Sequence, residues 1–259
     1  MQHLQDRRPQ RIADRPDLLG GGELDGVFEL VVRDLGVVRH GLIRLTSQIV
    51  RDIWIIHRSK EPAMAEVVLF HHSQGLTEGV RAFADALRAA GHVVHLPDLF
   101  EGKTFETLDD GMAYVREVGF GAMAEHGIAA ADALGAGSGN GLVYAGMSLG
   151  VVPAQQLAQT RAGARAALFL HACLPFSEYG EAWPAGVPVQ VHAMDEDPFF
   201  IEEGGDLDAA KALVESTSEA ELFLYPGKEH LFSDASIPAY DEAATTLLTS
   251  RVIEFLKGL

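Results

Sequence analysis

Three short stretches hold residue types that together could carry out acyl transfer. "GMSLG", residues 146 to 150, frames Ser148 with two glycines where the apolar run "GLVYA" meets the helix-like "VVPAQQLAQTRAG". "DEDPFF" follows "VQVHAM" and offers Asp195 and Asp197, and "GKEHLF" follows "ELFLYP" and offers His230. A serine hydroxyl is a weak nucleophile at neutral pH and needs a neighbouring base, itself oriented by an acid. The chain order Ser, Asp, His is the order expected when a serine stands on a sharp strand-to-helix turn above a parallel sheet. His230 is the one histidine after the last apolar run, and it reads as the base. Asp197 is favoured as the acid over Asp195, which reads better as a turn former. The oxyanion formed on attack needs two backbone N–H donors. Leu149 supplies one at the start of a helix, and the loop "HHSQG" supplies the other, from Ser73. A backbone donor survives side-chain replacement, so Ser73→Ala should matter less than Ser148→Ala.

These loops do chemistry only if the chain between them builds a common rim. From Met64 onward, short apolar runs alternate with helical patterns. "AEVVLFHH", "HVVHLP", "GLVYAG", "RAALFLHA", "PVQVHAM" and "AELFLYP" read as strands. "TEGVRAFADALRAAG" puts Val80, Phe83, Ala84 and Leu87 on one helical face, with Gly91 closing it. "TLDDGMAYVREVGFGAMAEHGIAAADAL" is helical with a break near Gly119 and Gly121; "LGVVPAQQLAQT", "LDAAKALVE" and the stretch near "AYDEAATTLLTSRVIEFLKGL" complete the helices. The fold class is therefore α/β, a mostly parallel sheet covered by helices on both faces, without a large cap domain. In such a sheet the C-terminal strand ends form the functional rim. Gly146 and Gly150 would remove Cβ atoms that collide as the turn around Ser148 tightens.

Composition narrows the class further. At 259 residues and 47% hydrophobic the chain can bury a full core. The formal charge of −17 argues against a nucleic-acid or anionic membrane surface. The single cysteine, Cys173, forbids an intramolecular disulfide and suggests a reducing compartment; the polar start lacks a signal-peptide core, so a cytoplasmic location is expected. Residues 1–63 carry 10 Lys+Arg against 9 Asp+Glu, whereas residues 64–259 carry 10 against 28. The composition shift at Met64 divides an N-terminal extension from the main domain. Residues 1–63 read either as an accessory segment or as an extension upstream of a natural start at Met64.

Together, "VVLFHHSQGLTEGVRAFADALRAAGHVVHLPDLFEGKTF", "YAGMSLG", "VHAMDEDPFF" and "YPGKEHLF" resemble the dienelactone hydrolase family of the α/β-hydrolase fold, over about residues 66 to 257. The family's acid stands before a Phe-containing loop and its histidine before a Ser/Leu-Phe pair, patterns that fall on Asp197 and His230. The namesake enzymes carry a cysteine nucleophile, and the resemblance is to the serine-bearing branch. His72 occupies the place of a family glutamate in the first oxyanion loop. Asp234 occupies that of an arginine binding the dienelactone carboxylate. The resemblance thus implies a serine hydrolase acting on an uncharged ester, lactone or thioester through an acyl-enzyme, with no cofactor. His72 and Phe199 are candidates for the substrate pocket.

Other features read as structural. "GAGSGNG" at 135–141 precedes its strand and is a loop rather than a dinucleotide fingerprint. "EGKT" at 101–104 lacks the upstream glycine of a phosphate loop, since Pro97 stands there. Adjacent His71 and His72 point opposite ways in extended chain, so no metal site is expected. Cys173 reads as a small buried residue. Trp183, Phe199 and Phe200 either line an acyl pocket or pack. The competing functional class is a non-catalytic protein of this fold that binds a small ligand. Whether the chain is a monomer or a homodimer is not legible.

Overall fold

Six short, largely apolar runs and six helical segments fold as the alternation demands. The computed structural model describes residues 64–134, 141–202 and 205–259. The expectations for residues 1–63, and for all of the 135–141 loop but Gly141, lie outside these. In chain order the elements are β1 (Glu66–Phe70), α1 (Glu78–Ala89), β2 (Val93–His95), α2 (Leu108–Val118), α3 (Phe120–Ala133), β3 (Val143–Met147), α4 (Val151–Thr160), β4 (Ala166–Leu170), β5 (Val189–Met194), α5 (Asp206–Ser216), β6 (Ala220–Tyr225) and α6 (Glu242–Gly258). The sheet runs β2-β1-β3-β4-β5-β6, every neighbouring pair parallel.

Alternate residues along each strand feed two cores. Val67, Leu69, Val143, Ala145, Leu168 and Leu170 meet the apolar stripes of α1 and α6 on one face. Val68, Phe70, Tyr144, Ala167, Phe169 and Val191 meet α3, α4 and α5 on the other. Each fully buried Val, Leu or Phe side chain contributes about 1.5–3 kcal/mol. Both faces of the central strands are therefore dry, which is why their sequences are continuous apolar runs.

Helix ends follow local chemistry. The Thr77 hydroxyl accepts from Val80 N to start α1, Thr107 accepts from Asp110 N to start α2, and Asp241 accepts from Ala244 N to start α6. Gly119, at φ 100°, breaks α2 from α3 where the glycines predicted a break. The "EGKT" segment is a turn pinned by Asp98, whose carboxylate accepts from Phe100 N at 2.9 Å and Gly102 N at 2.7 Å. Among the described residues no helix is long and apolar enough to cross a membrane.

The register levels the rim. Phe70 pairs with Gly146, and Met147 with Leu170, so β1, β3 and β4 end side by side. The loops after these strands are neighbours before any functional side chain is considered.

Candidate active site

Between β3 and α4 the chain reverses within one tight 3-10 turn, Ser148–Gly150. Ser148 sits at φ 48°, in the left-handed region that few L-residues occupy. A Cβ on Gly146 would lie 2.2 Å from Gly150 O, and one on Gly150 would lie 2.3 Å from Phe70 O. Both atoms belong to backbone that cannot swing aside. Gly150→Ala should therefore cost about 3 kcal/mol, the upper end for overpacking, measured by urea unfolding.

The Ser148 hydroxyl lies 2.9 Å from His230 Nε2, and His230 Nδ1 lies 2.6 Å from Asp197 Oδ2. The carboxylate needs a donor, so Nδ1 carries the ring proton and leaves Nε2 free to accept from Ser148. Asp197 is fully buried, and its other oxygen accepts from Phe199 N at 3.0 Å. Asp195, the alternative acid, instead accepts from Gly227 N at 3.0 Å and joins the ends of β5 and β6. Leu149 is the middle residue of the tight turn, and Ser73 lies in a turn closed by Gly75 N donating to His72 O at 3.0 Å.

The three aromatic candidates divide. Trp183 donates to Val187 O at 2.7 Å and, like Phe200, belongs to the core. Phe199 is 55% exposed, with its ring 4.9 Å from that of His230. It offers an exposed apolar surface beside the imidazole. The pocket expectation for His72 is corrected: it is fully buried, with both ring nitrogens engaged. Gln74 N donates to its Nδ1 at 3.2 Å, so Nε2 carries the proton and donates to Asp234 Oδ2 at 2.7 Å. The two positions that depart from the family's glutamate and arginine are thus partners of each other.

Cys173 is buried, which pushes its thiol pKa far above the ordinary value. It is no rival nucleophile. Asp206, at the head of α5, has its pKa raised to about 6 by burial, against the lowering effects of the Cys173 backbone N–H and His230. Burial would also raise the Asp234 pKa, but the hydrogen bonds from His72, Ser236 and Thr77 outweigh it and hold this carboxyl well below the usual range.

Sequence reasoning missed His171. It follows β4 directly at φ 67°, is buried, and lies with its ring 6.0 Å from His230 and 4.8 Å from Phe232. Its Nε2 pairs with Ser233 Oγ at 2.7 Å, while Nδ1 has no partner among the described residues. A lone histidine after "LFL" carries no spacing signal; a contact across 62 residues defined it.

Three buried imidazoles make the domain acid-sensitive. Burial lowers the pKa of His71 to about 4 and of His192 to about 3, and that of His171 well below 6.5. Each binds its proton more weakly folded than unfolded. Stability is therefore intact above the unfolded value of 6.5 and falls as pH drops below it, by up to about 1.4 kcal/mol per pH unit for each such histidine. Urea unfolding at several pH values should show this slope, and His192→Gln should remove about one proton's worth of it.

The family model of the dienelactone hydrolase family matches residues 55–259. Among solved structures, the chain is similar to P91, a dienelactone hydrolase-like promiscuous phosphotriesterase from metagenomic libraries. The TM-score is 0.60 at 21% identity, covering 78% of this chain and 89% of that one. It is also similar to m3DLH, with TM-score 0.58, 21% identity, and 77% and 88% coverage. A polyethylene-glycol-bound, cold-adapted esterase from an Arctic intertidal metagenomic library gives 0.51 at 18% identity, with 76% and 84% coverage. At such identities these likenesses show the α/β-hydrolase fold. No curated protein matches the chain.

Proposed function

The chain belongs to the dienelactone hydrolase family, and from that premise we propose that it hydrolyses an uncharged carboxylic ester, lactone or thioester through an acyl-enzyme on Ser148. The observation that carries this reading is the unbroken path from the Ser148 hydroxyl to His230 at 2.9 Å and on to buried Asp197 at 2.6 Å.

In the proposed cycle, Ser148 Oγ forms a bond to the acyl carbon as its proton passes to His230 Nε2. The carbonyl π electrons move onto oxygen, where the Ser73 and Leu149 N–H groups hold the charge. The tetrahedral centre collapses, the alkoxide or thiolate leaves, and the imidazolium returns the proton to it. Water then repeats the sequence on the acyl-enzyme, releasing the acid and restoring Ser148. Asp197 keeps His230 in the tautomer that can accept. No cofactor enters these steps.

The uncharged substrate is favoured by the carboxylates near the base. Asp197 and Asp206 lie close to His230, and the position where the resemblance places a carboxylate-binding arginine holds Asp234, which is buried and supplies no cation. A substrate carboxylate would meet repulsion there, whereas an apolar acyl or aryl group can lie against exposed Phe199. The test is labelling by a fluorophosphonate, run beside a panel of p-nitrophenyl esters, lactones and thioesters. Labelling at Ser148 with turnover of neutral members supports the reading. An unlabelled, inactive protein would leave the small-ligand binder instead.

A further inference from the structure

β6, which precedes His230, lies three strands from β3, which precedes Ser148. Strands are spaced about 4.8 Å apart, so the histidine loop must reach roughly 14 Å across the rim to meet the serine. It does so in a conformation the backbone resists. Four non-glycine residues have positive φ among the described residues, and three of them are Ser148, His171 and Leu231, the residue after His230. Such backbone persists only where its surroundings over-determine it.

The supports are two consecutive residues of the loop. Ser233 pairs with His171 at the end of β4. Asp234 reaches further, to the loop after β1. Its Oδ2 accepts from His72 Nε2 and Thr77 Oγ1, and its Oδ1 accepts from Ser236 N at 2.8 Å and Ser236 Oγ at 2.6 Å. Ser236 Oγ in turn accepts from Gly79 N at 3.1 Å, in the first turn of α1. A Cβ on Gly79 would fall 1.6 Å from Asp234 Oδ1, so the bare backbone of α1 is what admits the carboxylate. His72 and Thr77 flank Ser73 in one segment, and Asp234 is four residues from His230.

We propose that Asp234 is a positioning residue: its buried carboxylate ties the loop carrying the Ser73 N–H to the loop carrying His230, and so holds oxyanion donor and general base at one working separation. The inference rests on the reading of Ser148 and His230 given above. Asp234 touches neither the hydroxyl nor the imidazole; it acts through the two loops. Asparagine at this position keeps size and one acceptor but places an amide against the His72 and Thr77 donors, which opens the tie on the oxyanion side. A shift of about 1 Å in such a site can cost about 100-fold in rate.

The test compares full-length wild type and Asp234→Asn, with active protein counted by fluorophosphonate labelling and kcat and KM for p-nitrophenyl butyrate taken per labelled site. The expected result is a loss in kcat of about 10- to 100-fold with KM within about twofold. A fall in melting temperature or in labelled fraction does not bear on this ratio. A kcat per labelled site equal to wild type overturns the proposal, because a merely structural carboxylate would change only how much protein is active. Should Asp234→Asn fail to fold, Ser236→Ala removes one donor to the same carboxylate and is read identically. Wild type that is itself unlabelled refutes the Ser148 reading and takes the clamp with it; labelled wild type beside an unimpaired Asp234→Asn refutes the clamp alone.

Discussion

Ser148→Ala should lower turnover of a short-chain aryl ester by about 10⁴- to 10⁶-fold and abolish fluorophosphonate labelling, while the melting temperature stays close to wild type. The size follows from what the substitution removes. Without Oγ no acyl-enzyme can form, and what remains is the oxyanion donors and the binding surface acting on water, which still gives some acceleration. The fold should not notice. Alanine accepts φ 48° about as well as serine does, the glycines that permit the turn are untouched, and the lost hydrogen bond to His230 lies at the solvent-facing rim. Circular dichroism and a thermal melt check the fold, and initial rates check the chemistry. A variant that turned over ester at the wild-type rate would remove Ser148 from the site.

Much of this arrangement is legible in the sequence. The elements were readable because both faces of the central strands are buried, so those strands had to be continuous apolar runs. The turn at Ser148 was readable because only glycine satisfies the close approaches at 146 and 150, where backbone oxygens stand 2.2 and 2.3 Å from an added Cβ. Three groups needed for one reaction each followed a strand, and a parallel sheet delivers strand ends to one rim. The supports were not legible. His72 and Asp234 are 162 residues apart and each is an ordinary residue for a loop. As departures from a family pattern, they read one at a time as a pocket residue and a lost cation; side by side they form a buried hydrogen bond. Phe199 and Phe200 are consecutive and identical in type, and only the packing decides that one enters the core while the other faces His230. Local sequence encodes the period of an element, whereas partner choice inside a loop cluster depends on which loops the topology juxtaposes.

Asp197→Asn should lower kcat by about 10⁴-fold with little change in KM. The carboxylate is buried and accepts at both oxygens, from His230 Nδ1 and from Phe199 N. An asparagine can keep the Phe199 contact with its carbonyl, which turns its amide toward the imidazole. His230 must then present an unprotonated Nδ1, and its proton moves to Nε2, where Ser148 needs an acceptor. The geometry would be nearly unchanged and the base disabled, so the loss should fall on kcat. Asp195→Asn is the matched comparison. It stands two residues away and also accepts a backbone hydrogen bond, but from Gly227, and its replacement keeps that acceptor. Its kcat should stay within a few-fold of wild type. Steady-state kinetics on the two variants, with labelling to count active sites, therefore separates the carboxylate that orients the base from the one that joins two strand ends; a greater loss at 195 than at 197 would reverse their roles.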